Sequence, residues 1–151
     1  MWKKILLMFS FLLCISQFNI TTNAKESIVT ESYQEGNYTI ITTTTIIPEK
    51  NPYTRASKSR TVTRSKKIRD TSGKTLASFS ITAKFSFDGK KATCTNVSHS
   101  TAISDNNWSF TQASSTKSGS SATGYFTIKS KTQLSLSGNI QINCDKNGNI
   151  S

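Results

Sequence analysis

Hydrophobic and polar residues alternate along most of this chain beyond residue 55. Ala77, Phe79, Ile81, Ala83, Phe85 and Phe87 all occupy odd positions, with Ser, Thr and Lys between them. Successive side chains of a strand point to opposite faces, so this spacing predicts a strand with one buried face. Asp88-Gly89 follows, a pair suited to a tight hairpin turn. The return strand starts near Lys91 and carries Cys94, Val97, Thr101 and Ile103. Its apolar parity shifts between Cys94 and Val97, which predicts a bulge at Thr95–Asn96. Asp105-Asn106-Asn107 reads as a turn leading into a strand with Trp108 and Phe110, and Ser114–Ser121 as a Gly/Ser loop. Ala122, Gly124, Phe126 and Ile128 alternate again. Leu134, Leu136, Gly138, Ile140, Ile142 and Cys144 do so once more, with a bend expected at Gly138 and a turn at Asn147-Gly148. Upstream, Asp70-Thr71-Ser72-Gly73 forms a turn between a basic strand, about Arg60–Arg69, and the Phe79 strand.

No segment carries a helical apolar period of useful length. The expected class is all-β over residues 55–151: an antiparallel β-sandwich, Ig-like, or a small barrel of six or seven strands. Residues 25–54 differ in charge and are bounded by both prolines, Pro48 and Pro52. They read as an N-terminal extension: a linker, a pro-segment or an added edge strand. Within them Tyr38–Ile47 has high β-propensity and no charge. Such a run is an aggregation hazard when bare, so it is expected to pair with something.

The first 24 residues stand apart from the fold. Lys3 and Lys4 precede an apolar run from Ile5 to Ile15, and Thr22 and Ala24 fit a small-x-small cleavage site. This is the pattern of a secretory signal peptide, and it predicts a secreted, extracellular protein cleaved after Ala24. Its loss would leave 17 cations against 8 acids, a net charge of +9, and two cysteines, Cys94 and Cys144. An even pair in an oxidising compartment predicts one disulfide. The loop it closes would contribute about 4 kcal/mol in the chain-entropy account. Two buried free thiols are the alternative.

From Thr54–Ser57 to the C-terminus the chain resembles a family of small secreted proteins of unknown function from clostridia and related Gram-positive bacteria. The matching pieces are SGKTLASFSITAKFSFDGKKATC, NVSHSTAI, an NNW turn, Lys117-Ser118-Gly119 and the final INCDKNGNIS. The resemblance covers about two-thirds of the chain. It implies export, a β-rich fold and a Cys94–Cys144 pair, and brings no catalytic residues with it.

The chemistry-bearing residues are few. His99 is the only histidine, and no nucleophile motif accompanies it, so serine or cysteine hydrolase chemistry is not expected. Asp70, Asp88, Asp105 and Asp145 sit in turns, where Asp is favoured for backbone reasons. No metal site, cofactor or small-molecule substrate is indicated, and the chain is read as not an enzyme. The densest feature is RASKSRTVTRSKKIR, which places Arg55, Lys58, Arg60, Arg64, Lys66, Lys67 and Arg69 in fifteen residues. Such a strand suits a sheet edge, where charge discourages edge-to-edge pairing. It also suits a polyanion, and in a Gram-positive envelope the polymers at hand are anionic cell-wall polymers and membrane surfaces. Nucleic acid is not expected, because aromatics do not interleave with the cations. The leading expectation is therefore a secreted, non-enzymatic β-sandwich module beside anionic envelope polymers. The alternative is a cationic effector, bacteriocin-like or toxin-like, with 25–54 as an acidic pro-segment.

Overall fold

The computed structural model describes residues 26–48 and 58–151. The expected signal peptide (residues 1–24), Pro52 and Arg55 lie outside them. The described residues form eight strands and no helix: β1 (Ser27–Glu35), β2 (Tyr38–Pro48), β3 (Lys58–Arg69), β4 (Thr75–Phe87), β5 (Ala92–Ile103), β6 (Trp108–Ser118), β7 (Ser121–Ser130) and β8 (Ser135–Asn143). A five-stranded sheet runs β1-β2-β3-β4-β5 and a three-stranded sheet runs β6-β7-β8, every neighbouring pair antiparallel. The class is thus β-sandwich-like. Both sheets follow chain order as meanders, without the crossed strand order of an Ig fold, so that finer expectation is corrected.

Alternation builds the core. The inward face of β4 carries Ala77, Phe79, Ile81, Ala83 and Phe85, all fully buried. Opposite them stand Ala122, Phe126 and Ile128 of β7 and Ile140 and Ile142 of β8. Phe79 and Phe126 meet across the gap with ring centroids 5.1 Å apart. The two sheets approach closely at Gly124, where a Cβ would lie 2.3 Å from Ile81 Cγ2. Gly138 makes room in the same way for the Phe126 ring, within an unbroken β8, so no bend occurs there.

The turns follow their sequence signals. Asp88-Gly89 turns β4 into β5, and Thr95 is the extra residue of a bulge, since Lys84 pairs with Asn96 and Phe85 with Cys94. The expected loop at Ser114–Ser121 is instead mostly strand. β6 continues to Ser118, and the turn is Gly119-Ser120 alone. Residues 26–48 form a hairpin that continues the large sheet. The apolar run Tyr38–Ile47 is paired on both sides, with β1 and with β3, and Ile40 enters the core.

The expected disulfide is not present: Cys94 and Cys144 are free and buried. Cys94 lies in the large sheet and Cys144 follows β8 in the small one, and each thiol turns to a nearby carbonyl. Cys94 Sγ donates to Asn96 O (3.3 Å) and Cys144 Sγ to Asp145 O (3.5 Å). Burial pushes both thiols up from their ordinary pKa, against the lowering influence of Lys117 on Cys94 and of Arg60 on Cys144.

Candidate functional site: a basic end of the sandwich

The cations of β3 divide between two faces. Register with β4 places Lys58, Arg60, Arg64 and Lys66 on the inward side, in line with Phe87, Phe85, Ile81 and Phe79, while Lys67 points outward beside Ser78. Arg69 follows a register shift after Ile68, and its Nε is buried without a hydrogen-bond partner. β3 is therefore the centre of the sheet rather than its edge, contrary to the edge reading of the sequence.

Several of these cations are committed within the fold. Arg64 Nε donates to Thr44 Oγ1 (2.8 Å), and its Nη1 reaches Gln141 O across the gap on β8. Burial lowers the Arg64 pKa, and Glu31 partly offsets this. An inward charge laid on the outer edge of β8 discourages strand addition there. The next stretch of that edge is covered by the chain end, where Asn143 and Ser151 exchange backbone hydrogen bonds. Lys66 Nζ lies over the Tyr33 ring and donates to its hydroxyl (3.3 Å). The groove beside Arg64, of about 410 Å³, is lined by Val29, Glu31, Thr44, Ile46 and Ile150, and so mixes apolar and opposite-charge groups.

Lys58 and Arg60 belong to a different neighbourhood. Lys58 pairs with Phe87 at the end of β4, and the Arg60 guanidinium lies 5.6 Å from the Phe87 ring centre. The Asp88 turn meets the Asp145 turn there, Gly89 N donating to Lys146 O (2.9 Å). The β6–β7 turn arrives as well, with Gly119 O accepting from Cys94 N (2.8 Å). This end of the sandwich thus gathers Lys58, Arg60, Lys90, Lys91, Lys117 and Lys146, and all but the half-buried Arg60 are exposed.

Two acids share this end, and both are spent on their own turns. Asp88 Oδ1 accepts from Lys90 N and Lys91 N (2.8 Å each). Asp145 Oδ1 accepts from Asn147 N and Asn149 N, and its Oδ2 from Asn149 Nδ2 (2.7 Å). These bonds hold both carboxyls below their usual pKa. The lysines are left facing solvent, with Lys117 reaching Thr95 O. Gly148 seals the cluster: it has φ +85°, and a Cβ there would lie 2.3 Å from the Phe87 ring.

Sequence reading identified Lys58 and Arg60 but missed Lys90, Lys91, Lys117 and Lys146, which lie far off along the chain. Each neighbours a Gly turn, at Gly89, Gly119 or Gly148, and that is the one local signal they carry. His99 is exposed, stacked on Phe79 (6.0 Å), with Nδ1 3.2 Å from Ser115 Oγ. A serine and a histidine thus meet, but on an open strand surface and not in a pocket with an orienting carboxylate. Among the described residues no group of three or more His, Cys, Asp or Glu could hold a metal ion. No family model matches this chain, and neither a curated protein nor a solved structure shows significant similarity to it.

Proposed function

We propose that this chain is a secreted, non-enzymatic β-sandwich module that holds to anionic polymers of the cell envelope through its basic end. The observation that carries the reading is the convergence of Lys58, Arg60, Lys90, Lys91, Lys117 and Lys146 from four separate segments, with the nearby carboxylates engaged in their own turns. Residues 58–151 carry 14 cations against 4 acids, which favours a polyanion as partner. The effector alternative treats 25–54 as a removable mask. Against it, β2 pairs with β3 over ten positions and buries Ile40, so its removal would strip the neighbour of Val62 and Ile68.

The test is binding of the mature protein to purified anionic wall polymer. Lys90→Gln/Lys91→Gln/Lys146→Gln should weaken binding on the order of a hundredfold at low salt, taking about 1 kcal/mol for each lysine near an anionic surface. Lys66→Gln/Lys67→Gln/Lys129→Gln removes the same charge elsewhere and should have a much smaller effect. Equal loss in the two variants would leave net charge alone as the cause and reject the site.

A further inference from the structure

The opposite end of the sandwich holds a pocket of about 320 Å³, within the size range of small-molecule sites. Tyr38 and Trp108 form one side, edge to face with centroids 5.9 Å apart. Leu134 stands at the rim, 55% exposed. Asp70, Asp105 and Lys131 supply charge.

The loops around the pocket are tied to one another by hydrogen bonds and an ion pair. Ser104 N and Asp105 N both donate to Leu76 O, and Lys131 N donates to Asn107 O (2.9 Å). Lys74 bridges to Asp105 Oδ2 at 2.8 Å. In the β7–β8 loop, Ser130 Oγ accepts from Leu134 N (3.0 Å). Next to it Gln133 has φ +71°, the sole positive φ among the described non-glycine residues. Left-handed backbone in such a residue is strained, and it persists where the surroundings hold it. Here the left-handed residue immediately precedes Leu134, whose large apolar side chain stands at the pocket rim.

The chemistry of the rim narrows the ligand. Hydrogen bonds from Ser72 to Asp70, and from Lys74 and Asn107 to Asp105, keep both carboxyls ionised, so they only accept. Asn107 and Lys131 donate. Lys74 and Lys131 balance the two aspartates, so neither a cation nor an anion is favoured outright. A purely apolar ligand would leave the rim's polar groups unmet. A neutral ring with an apolar face and a circle of hydroxyls satisfies both the Tyr38–Leu134 surface and the acceptors and donors around it. We infer that this pocket binds a pyranose unit of a glycan, its hydroxyls on Asp70, Asp105 and Lys131 and its apolar face on Tyr38 and Leu134. This site stands apart from the basic end and does not depend on it.

Trp108 is the single tryptophan after residue 24, so its fluorescence reports on this pocket alone. The probes are cellotetraose and chitotetraose, titrated separately into the mature protein. At least one should give a saturable change in Trp108 emission in the millimolar range. Asp70→Asn retains an oxygen for the loop bonds, all of which fall on Oδ1. It should weaken binding about tenfold, the loss of one charge-assisted hydrogen bond, with the fold retained and only a small fall in melting temperature. Leu134→Ser should weaken binding as well, and Asp88→Asn at the other end should not. No saturable change with either oligosaccharide, or equal binding by Asp70→Asn, Leu134→Ser and the wild type, would overturn the proposal.

Discussion

At one end of the sandwich, turns from β4–β5, β6–β7 and the chain terminus present lysines to solvent while their aspartates bond to backbone N–H groups. At the other, turns from β3–β4, β5–β6 and β7–β8 enclose a pocket in which Asp105 is paired with Lys74 and two aromatic rings meet. Both ends are made from Asx-type turns that hold an aspartate below its usual pKa. What differs is whether the cations near each turn are balanced. The same local turn chemistry therefore yields an exposed basic surface in one place and a charge-balanced pocket in the other, according to what the topology brings alongside.

The comparison can be broken at its common support. Phe79 packs between the sheets against Phe126 and Phe110, so Phe79→Ala should cost about 3–5 kcal/mol and loosen both ends together. Calorimetry checks the loss, and hydrogen exchange checks that protection falls at both ends. A narrower cut is Gly148→Ala, which meets the Phe87 ring and requires φ +85°. It should cost about 1–3 kcal/mol, with chemical shifts moving around Phe87, Gly89 and Lys146 and staying fixed around Trp108. Shifts spread evenly over both ends would show that the ends are not independent.

Acid should act on the two ends alike. All four turn aspartates have folded pKa values below their unfolded ones, so their contribution is present above the unfolded value of about 3.9 and is lost as pH falls through the folded values. Melting temperature should decline with acidification below about pH 4. A melting temperature that rises in that window would contradict the turn assignments.

The smallest expected effect concerns the thiols at the basic end. Cys94 and Cys144 are buried and their pKa values are raised, so native protein should be nearly inert to a thiol reagent and react at both only on unfolding. The raised values also have a sign: stability should fall as pH climbs above about 8.5, where an unfolded thiol ionises and a buried one does not. Unfolded protein that still shows no reactive thiol would establish a bond between them.

Much of the fold was legible because burial on one face imposes a period of two, and the β4, β7 and β8 patterns stand out for that reason. Ser114–Ser118 was not legible as strand, since β6 is mostly exposed and its small polar residues look like loop. The central position of β3 was hidden because its inward cations carry aromatic or backbone partners on β1, β4 and β8 that no local pattern reveals. The basic end was half legible. Lys58 and Arg60 fall in a dense run, whereas Lys90, Lys117 and Lys146 meet them only through register. The pocket was masked by a correct local reading, because Asp70 and Asp105 are turn residues and line the pocket as well.

The most direct test is to map a soluble polyanion, inorganic polyphosphate, onto the chain lacking residues 1–24 by amide chemical shifts at low salt. Perturbations should cluster at Lys58, Arg60, Lys90, Lys91, Lys117 and Lys146. They should fade as the screening length falls from about 10 Å at 0.1 M salt to about 3 Å at 1 M. Perturbations centred on Lys66, Lys67 and Lys129, or none at any salt concentration, would contradict the assignment of the basic end as the attachment surface.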